Sequence, residues 1–121
     1  MNPELIYIEL KSGFSDDGPA WIGKGLFTRT RRTLYFDGTT FKKKPGDGAN
    51  YIDIKTGKGY WVSGVRKNGK DRNATGSGKV AVDESVLREY LQIRNWGSLT
   101  NDYTIVRLDN SPPGDGSLDE L

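Results

Sequence analysis

Apolar and polar residues alternate in short runs along most of the chain, and turn-forming residues separate the runs. In the first run Ile6, Ile8 and Leu10 share one face, while Tyr7 and Glu9 share the other. A period of two residues is typical of β-strands, and Gly, Pro, Asn and Asp between the runs indicate turns. The pattern predicts strands over 5–11, 21–28, 33–36, 39–43, 51–55, 59–65 and 79–82, and a weaker alternation predicts a last strand over 103–108.

Glycines indicate where these strands turn or come close together. Asp37-Gly38 predicts a type I′ hairpin turn, and Thr56-Gly57 predicts a second hairpin. Gly23 and Gly25 fall inside the second strand, where they indicate a strong bend or the close approach of another backbone.

One segment has helical periodicity. Asp83 is the predicted N-cap, because its carboxylate can accept a hydrogen bond from an amide of the first turn. Asn95 and Gly97 are predicted to end the helix. The apolar stripe between them, expected to be buried against the sheet, is Val86, Leu87, Tyr90, Leu91 and Ile93.

Short strands joined by turns, with one C-terminal helix, predict a mainly β fold. We expect a small, strongly bent antiparallel sheet or a partly open barrel, with the helix closing one face. An SH3-like barrel is the nearest common shape, and an OB-like barrel is the alternative. The 121 residues fit a single domain over 1–108, followed by a flexible acidic tail over 109–121.

The composition argues against most catalytic chemistry. The chain has no Cys and no His, which excludes disulfides, thiolate nucleophiles, Ser-His-Asp triads and His-ligated metals. Its acidic pairs fall in a predicted loop, a helix cap and the tail, whereas acid–base catalysis needs two carboxylates in one pocket. We therefore expect a protein that is not an enzyme and that uses neither cofactor nor metal.

No apolar run approaches the roughly 18 residues of a membrane span. The N-terminal segment is acidic where a secretion signal would be basic. The sequence therefore predicts a cytoplasmic location and no membrane partner.

The charges are unevenly distributed, although the whole chain has a formal charge of only +2. Residues 21–80 hold fourteen Lys and Arg against four Asp, a net charge of +10, and residues 109–121 carry a net charge of −4. Lys and Arg neutralise phosphates and exposed aromatic rings stack on bases, so a basic and aromatic β face is typical of binding modules. The alternative is that the hairpins scatter the cations over the surface while most of the aromatic rings form the core.

Trp61 is expected at the surface, because Tyr60 and Val62 share the opposite face of its strand. The candidate binding residues are Trp61 itself and the polar and charged residues of the neighbouring hairpins: Arg31, Arg32, Lys42, Lys43, Lys44, Ser63, Arg66, Lys67, Lys70, Asp71 and Arg72.

A longer pattern runs through the second half of the chain. It reads Asn50-Tyr51-x-Asp53, Thr56-Gly57, Tyr60-Trp61-Val62-Ser63-Gly64, Lys67-x-Gly69-x-Asp71 and Asp83-Glu84, before a helix with Glu89-Tyr90. With Gly18 to Gly23 and Thr33 to Phe36, it resembles a group of small bacterial proteins of unknown function. Some members of that group carry a deoxyxylulose-phosphate synthase label, which nothing in this sequence supports. The group often has a Cys after Ser-Gly, but Val65 stands there, so no thiol role is carried over.

Three function classes follow from the sequence. The favoured one is a non-enzymatic binding module whose partner is a protein, or alternatively a single-stranded nucleic acid bound weakly. The second is an immunity or antitoxin-like protein that occludes a partner protein. A small enzyme is disfavoured, because the sequence offers neither a nucleophile–base pair nor a metal-binding set.

Overall fold

The computed structural model describes residues 2–11, 19–45, 48–65 and 80–111. Within these ranges the chain forms eight strands in one sheet and one α-helix, which confirms the predicted mainly β fold. A 3₁₀ turn over Glu84–Val86 precedes helix α1, Leu87–Arg94. The strands are β1 (Glu4–Lys11), β2 (Ala20–Phe27), β3 (Thr33–Phe36), β4 (Thr39–Lys43), β5 (Tyr51–Asp53), β6 (Gly59–Gly64), β7 (Val80–Asp83) and β8 (Tyr103–Val106).

The first six strands close into an antiparallel barrel in the order β1-β6-β5-β4-β3-β2 and back to β1. Closure depends on β1, which pairs with β6 along one edge and with β2 along the other. Ile8, for example, lies opposite Val62 on β6 and opposite Trp21 on β2. The barrel is therefore closed, whereas the sequence pattern predicted a bent sheet or a partly open barrel.

Strand β2 is where the sheet forks. Its C-terminal residues Leu26 and Phe27 pair antiparallel with β3, whereas Ala20 to Ile22 pair parallel with β7. Strand β8 then adds to β7, also in parallel. The expectation of an antiparallel sheet is confirmed for the barrel but wrong for these last two strands. Turn residues predict hairpins between successive strands, and they carry no information about which strands meet after a long connection.

Both faces of β1 are buried, by two different cores. Ile6 and Ile8 point into the barrel and pack in its interior cluster with Leu34, Phe41 and Val62. The opposite face of the sheet is covered by the helical segment, and Tyr7, Ile22, Val82, Val86 and Tyr90 form a second cluster there. Of the predicted helical stripe, Val86 and Tyr90 are buried, while Leu87 and Leu91 are only half-buried.

A close approach inside the barrel explains a strand glycine. A Cβ atom on Gly25 would lie 2.8 Å from the Cδ1 atoms of both Ile6 and Leu34, so these two buried methyl groups would have to shift to admit a side chain. The predicted hairpin turn is confirmed by the positive φ angles of Asp37, +51°, and Gly38, +72°. Helix α1 ends at Asn95, as predicted, and Asn95 adopts the left-handed conformation.

Asp83 is the N-cap residue of the 3₁₀ turn that leads into α1, as predicted, but its carboxylate makes no capping hydrogen bond, so that part of the prediction is wrong. Its buried carboxylate instead accepts hydrogen bonds from Ser85 Oγ at 2.7 Å, Asn110 Nδ2 at 2.8 Å and the Leu108 amide at 3.2 Å. Burial alone would raise the pKa of Asp83, but these hydrogen bonds outweigh it and hold the pKa below its ordinary value. Asp83 thereby attaches the segment 108–111 to the barrel.

The predicted tail begins inside this attached segment. The Asp109 amide donates to Asp37 Oδ1 at 2.7 Å, and the Leu108 side chain packs against the interior cluster. The rest of that prediction, residues 112–121, lies outside the described residues.

Candidate site at the basic end of the barrel

One end of the barrel collects most of the described candidate residues. In an antiparallel barrel, the C-terminal ends of β2, β4 and β6 lie at the same end as the N-terminal ends of β1, β3 and β5. The β2–β3 turn and the C-terminal end of β4 are joined there by a hydrogen bond from the Lys43 amide to the Arg32 carbonyl, at 2.8 Å. The pairing of Thr33 with Lys42 continues the same contact along the strands.

These two adjacent segments carry six cations, and we call the group the basic end: Arg29, Arg31, Arg32, Lys42, Lys43 and Lys44. Arg29, Arg32 and Lys43 are exposed, and Lys44 is half-buried. Among the described residues, the side chains of these four make no hydrogen bond or ion pair.

Arg31 is held in place by its backbone. It has a φ angle of +62°, a left-handed conformation that costs a residue with a side chain about 1–2 kcal/mol. The Arg31 amide donates to the Thr28 carbonyl at 2.8 Å, and the Tyr51 hydroxyl donates to the Arg31 carbonyl at 2.7 Å. Burial raises the pKa of the Tyr51 hydroxyl, so it remains protonated and able to donate at neutral pH.

The Arg31 guanidinium makes two contacts in this position. It lies 3.9 Å from the ring centroid of Phe27, in a cation–π contact. Its two Nη atoms face the Glu4 carboxylate, at 2.8 and 3.4 Å. The hydrogen bond with Glu4 raises the pKa of Arg31 above its ordinary value against the opposing effect of burial, so the charge is permanent.

Beside this pair lies a polar cavity of about 250 Å³. Three residues singled out by the sequence line it, Arg31, Lys43 and Ser63. Its wall is braced by Asn50, whose side chain donates to the Val62 carbonyl and accepts from the Val62 amide, both at 2.8 Å. The hairpins therefore bring Arg31, Lys43 and Ser63, which are far apart in sequence, to one cavity. The Ser63 side chain lies on the outward face of β6, because its strand partner Tyr7 packs in the second cluster.

The other candidate residues have different positions. Lys42 is half-buried and its Nζ donates to Thr33 Oγ1 at 2.9 Å, which is a structural contact within the hairpin. Trp61 is 37 % exposed, as expected, but it lies on the outward face of β6, opposite Glu9 of β1, and does not line the cavity. The remaining candidates lie outside the described residues: Arg66, Lys67, Lys70, Asp71 and Arg72.

Sequence reasoning missed the residues whose side chains contact Arg31. Glu4, Phe27 and Tyr51 come from three strands, and no local spacing connects them with Arg31. A signal existed in the Asn50-Tyr51-x-Asp53 pattern, whose three side chains all make hydrogen bonds to backbone groups. Asp53 accepts from the Lys55 amide at 2.8 Å, in the turn between β5 and β6.

A larger cleft of about 400 Å³ lies at the fork of the sheet. Its lining includes Leu26, Tyr35 and Phe36, together with Asp37 and Asp109. Both carboxylates accept hydrogen bonds from the C-terminal segment, Asp37 from the Asp109 amide and Asp109 from the Ser111 amide. These carboxylates thus serve the attachment of that segment, and the basic end is the stronger candidate site.

Comparisons with protein families, curated proteins and solved structures find no match to the chain, so the resemblance described above stays a prediction. In the described ranges, no group of three or more His, Cys, Asp and Glu side chains is arranged to hold a metal ion. The helix found there is too short to cross a membrane.

Proposed function

We propose that the protein is a non-enzymatic binding module that recognises an acidic partner, a protein, through the basic end of the barrel. The observation that carries the proposal is a group of four cations on two adjacent segments, beside a polar cavity, that have no partner among the described residues: Arg29, Arg32, Lys43 and Lys44. Cations held this close raise the local potential, which steers negatively charged partners toward the surface and favours them once they are bound.

A protein partner is favoured over a single-stranded nucleic acid by the positions of the aromatic rings. Stacking on bases needs exposed rings among the cations. At the basic end, Phe27 and Tyr51 are buried and the Arg31 guanidinium covers the Phe27 ring. Trp61 is exposed but lies on another face, so the described surface offers charge and hydrogen bonds rather than a stacking platform.

The test compares two polyanions of equal length, a 20-residue polyglutamate and a 20-nucleotide single-stranded DNA, by fluorescence anisotropy at about 50 mM salt. Two double variants with the same change in charge separate the basic end from net charge. Arg32→Glu/Lys43→Glu changes the basic end, whereas Lys55→Glu/Lys58→Glu changes exposed cations of the β5–β6 turn at the opposite end of the barrel.

We expect polyglutamate to bind at least as tightly as the DNA, and we expect the Arg32/Lys43 variant to lose this binding while the Lys55/Lys58 variant keeps it. Equal losses in both variants would show that only net charge matters. Clearly tighter binding of the DNA would favour a nucleic-acid partner, and both results overturn the proposal.

A further inference from the structure

The contact between Glu4 and Arg31 lies at the polar cavity, which both residues line. Each carboxylate oxygen of Glu4 faces a different guanidinium nitrogen, at 2.8 and 3.4 Å, in the two-pronged geometry with which arginine binds carboxylates. Both side chains are about half exposed, 46 % for Glu4 and 52 % for Arg31, so water and solutes reach the pair.

Lys43 is a second cation that lines the cavity. Its side chain makes no hydrogen bond or ion pair with other described residues. Asn50 and Tyr51, which also line it, are already engaged with backbone groups of Val62 and Arg31. Of the two cations that line the cavity, Arg31 is therefore paired internally, and Lys43 has no partner among the described residues.

We propose that this cavity is the specificity pocket for a single side-chain carboxylate of an acidic partner, and that Glu4 is an internal carboxylate that the partner displaces from Arg31. The inference rests on the proposed function, because it assumes that the basic end is the binding surface. The ligand is an Asp or Glu side chain in an exposed segment of the partner protein.

Three features support the exchange. Arg31 is positioned independently of Glu4, by its backbone hydrogen bonds and by the Phe27 ring, so its guanidinium stays in place when Glu4 leaves. Exposed ion pairs contribute little stability, so Glu4 is readily displaced. An incoming carboxylate replaces the contact that Glu4 makes and also gains the cation of Lys43, which gives it an advantage over Glu4.

The experiment uses the full chain and a short labelled peptide with one Glu among Gly and Ser residues, measured by anisotropy at low salt. The same peptide with Gln or phosphoserine in place of Glu tests which group is recognised. Glu4→Gln is compared with Glu89→Gln, which removes an equal charge from the Lys24–Glu89 pair, where Glu89 is 47 % exposed. Arg31→Lys keeps the charge but loses the planar geometry of the guanidinium.

We expect Glu4→Gln to tighten binding of the Glu peptide by about two- to five-fold, because an exposed pair competes only weakly. Glu89→Gln should leave the affinity unchanged, Arg31→Lys should weaken it, and the Gln peptide should not bind. Thermal unfolding of each variant shows whether it is folded. Lys43→Gln removes the second cation of the cavity and should also weaken binding of the Glu peptide.

Equal gains in Glu4→Gln and Glu89→Gln would refute displacement of Glu4, and binding of the Gln peptide or preferred binding of the phosphoserine peptide would refute a carboxylate pocket. In each case polyglutamate binding that depends on Arg32 and Lys43 would leave the proposed function standing. If Arg32→Glu/Lys43→Glu has no effect on polyglutamate, the proposed function itself fails.

Discussion

Asp83→Asn is the substitution that most directly tests how the C-terminal segment is attached. Asp83 is 2 % exposed, and its carboxylate accepts hydrogen bonds from Ser85, Asn110 and the backbone amide of Leu108. Asparagine has nearly the same shape, but it replaces one acceptor oxygen with an NH₂ group. That group can still donate to the Ser85 hydroxyl, which also accepts, but it cannot bond to the Leu108 amide or to the NH₂ group of Asn110.

The expected loss of stability follows from these contacts. A hydrogen bond to a charged group contributes about 1.5–3 kcal/mol, and a buried donor left without an acceptor costs about 1–3 kcal/mol. The asparagine keeps one oxygen, so part of the network survives. We therefore expect Asp83→Asn to lower the free energy of unfolding by about 2–3 kcal/mol.

The measurement is urea unfolding followed by tryptophan fluorescence, with Glu84→Gln as the control. Glu84 is the next residue and loses the same charge, but its ion pair with Arg107 is exposed, at 51 % and 84 %. An exposed pair contributes about 0–1 kcal/mol, so the control should lose less than about 1 kcal/mol. Equal losses in the two variants would refute the role assigned to Asp83.

Acidification gives an independent check of the same contact. The pKa of Asp83 is lowered in the folded protein, so the stability that its charge provides is fully present above the unfolded pKa, about 3.9. That stability is lost as the pH falls through the folded pKa, when the carboxylate takes up a proton. The difference in stability between the native protein and Asp83→Asn should therefore narrow below about pH 4. A difference that stays constant down to acid unfolding would contradict this account.

Three further substitutions test the packing of the barrel by the same unfolding measurement. Gly25→Ala should lower the free energy of unfolding by about 1–3 kcal/mol, because the new methyl group overpacks the interior. Gly64→Ala should cost much less, because no atom lies within 4 Å of its new Cβ. Equal costs in the two variants would contradict this account. Tyr7→Phe removes the hydroxyl that donates to the buried Glu9 carboxylate at 2.5 Å, so we expect a loss of about 1–3 kcal/mol, and no loss would mean that the remaining contacts of Glu9 suffice. Ile8→Ala should cost about 2–5 kcal/mol because the side chain is 1 % exposed, and a cost below that of Tyr7→Phe would show that the interior relaxes into the space.

The candidate site was only partly predictable. Arg31, Lys43 and Ser63 were identified from residue type and charge, and the structure places all three around one cavity. Glu4 was not identified, because it lies 27 residues from Arg31 and meets it only when β1 and β2 pair. The exposure of Trp61 followed from strand alternation. Its separation from the cavity depends on barrel closure, which decides where the outward face of β6 lies relative to the cavity.

Local sequence determined the secondary structure of this protein. The β3 and β4 strands have the predicted bounds, and the turn between them follows from Asp37-Gly38, because strand alternation and turn conformation depend on neighbouring residues. Tertiary structure alone decided the closure of the barrel, the parallel addition of β7 and β8 and the attachment of the C-terminal segment through Asp83. Each of these depends on contacts between residues distant in sequence, so it is set by the burial and hydrogen bonding available after the chain folds rather than by any local pattern.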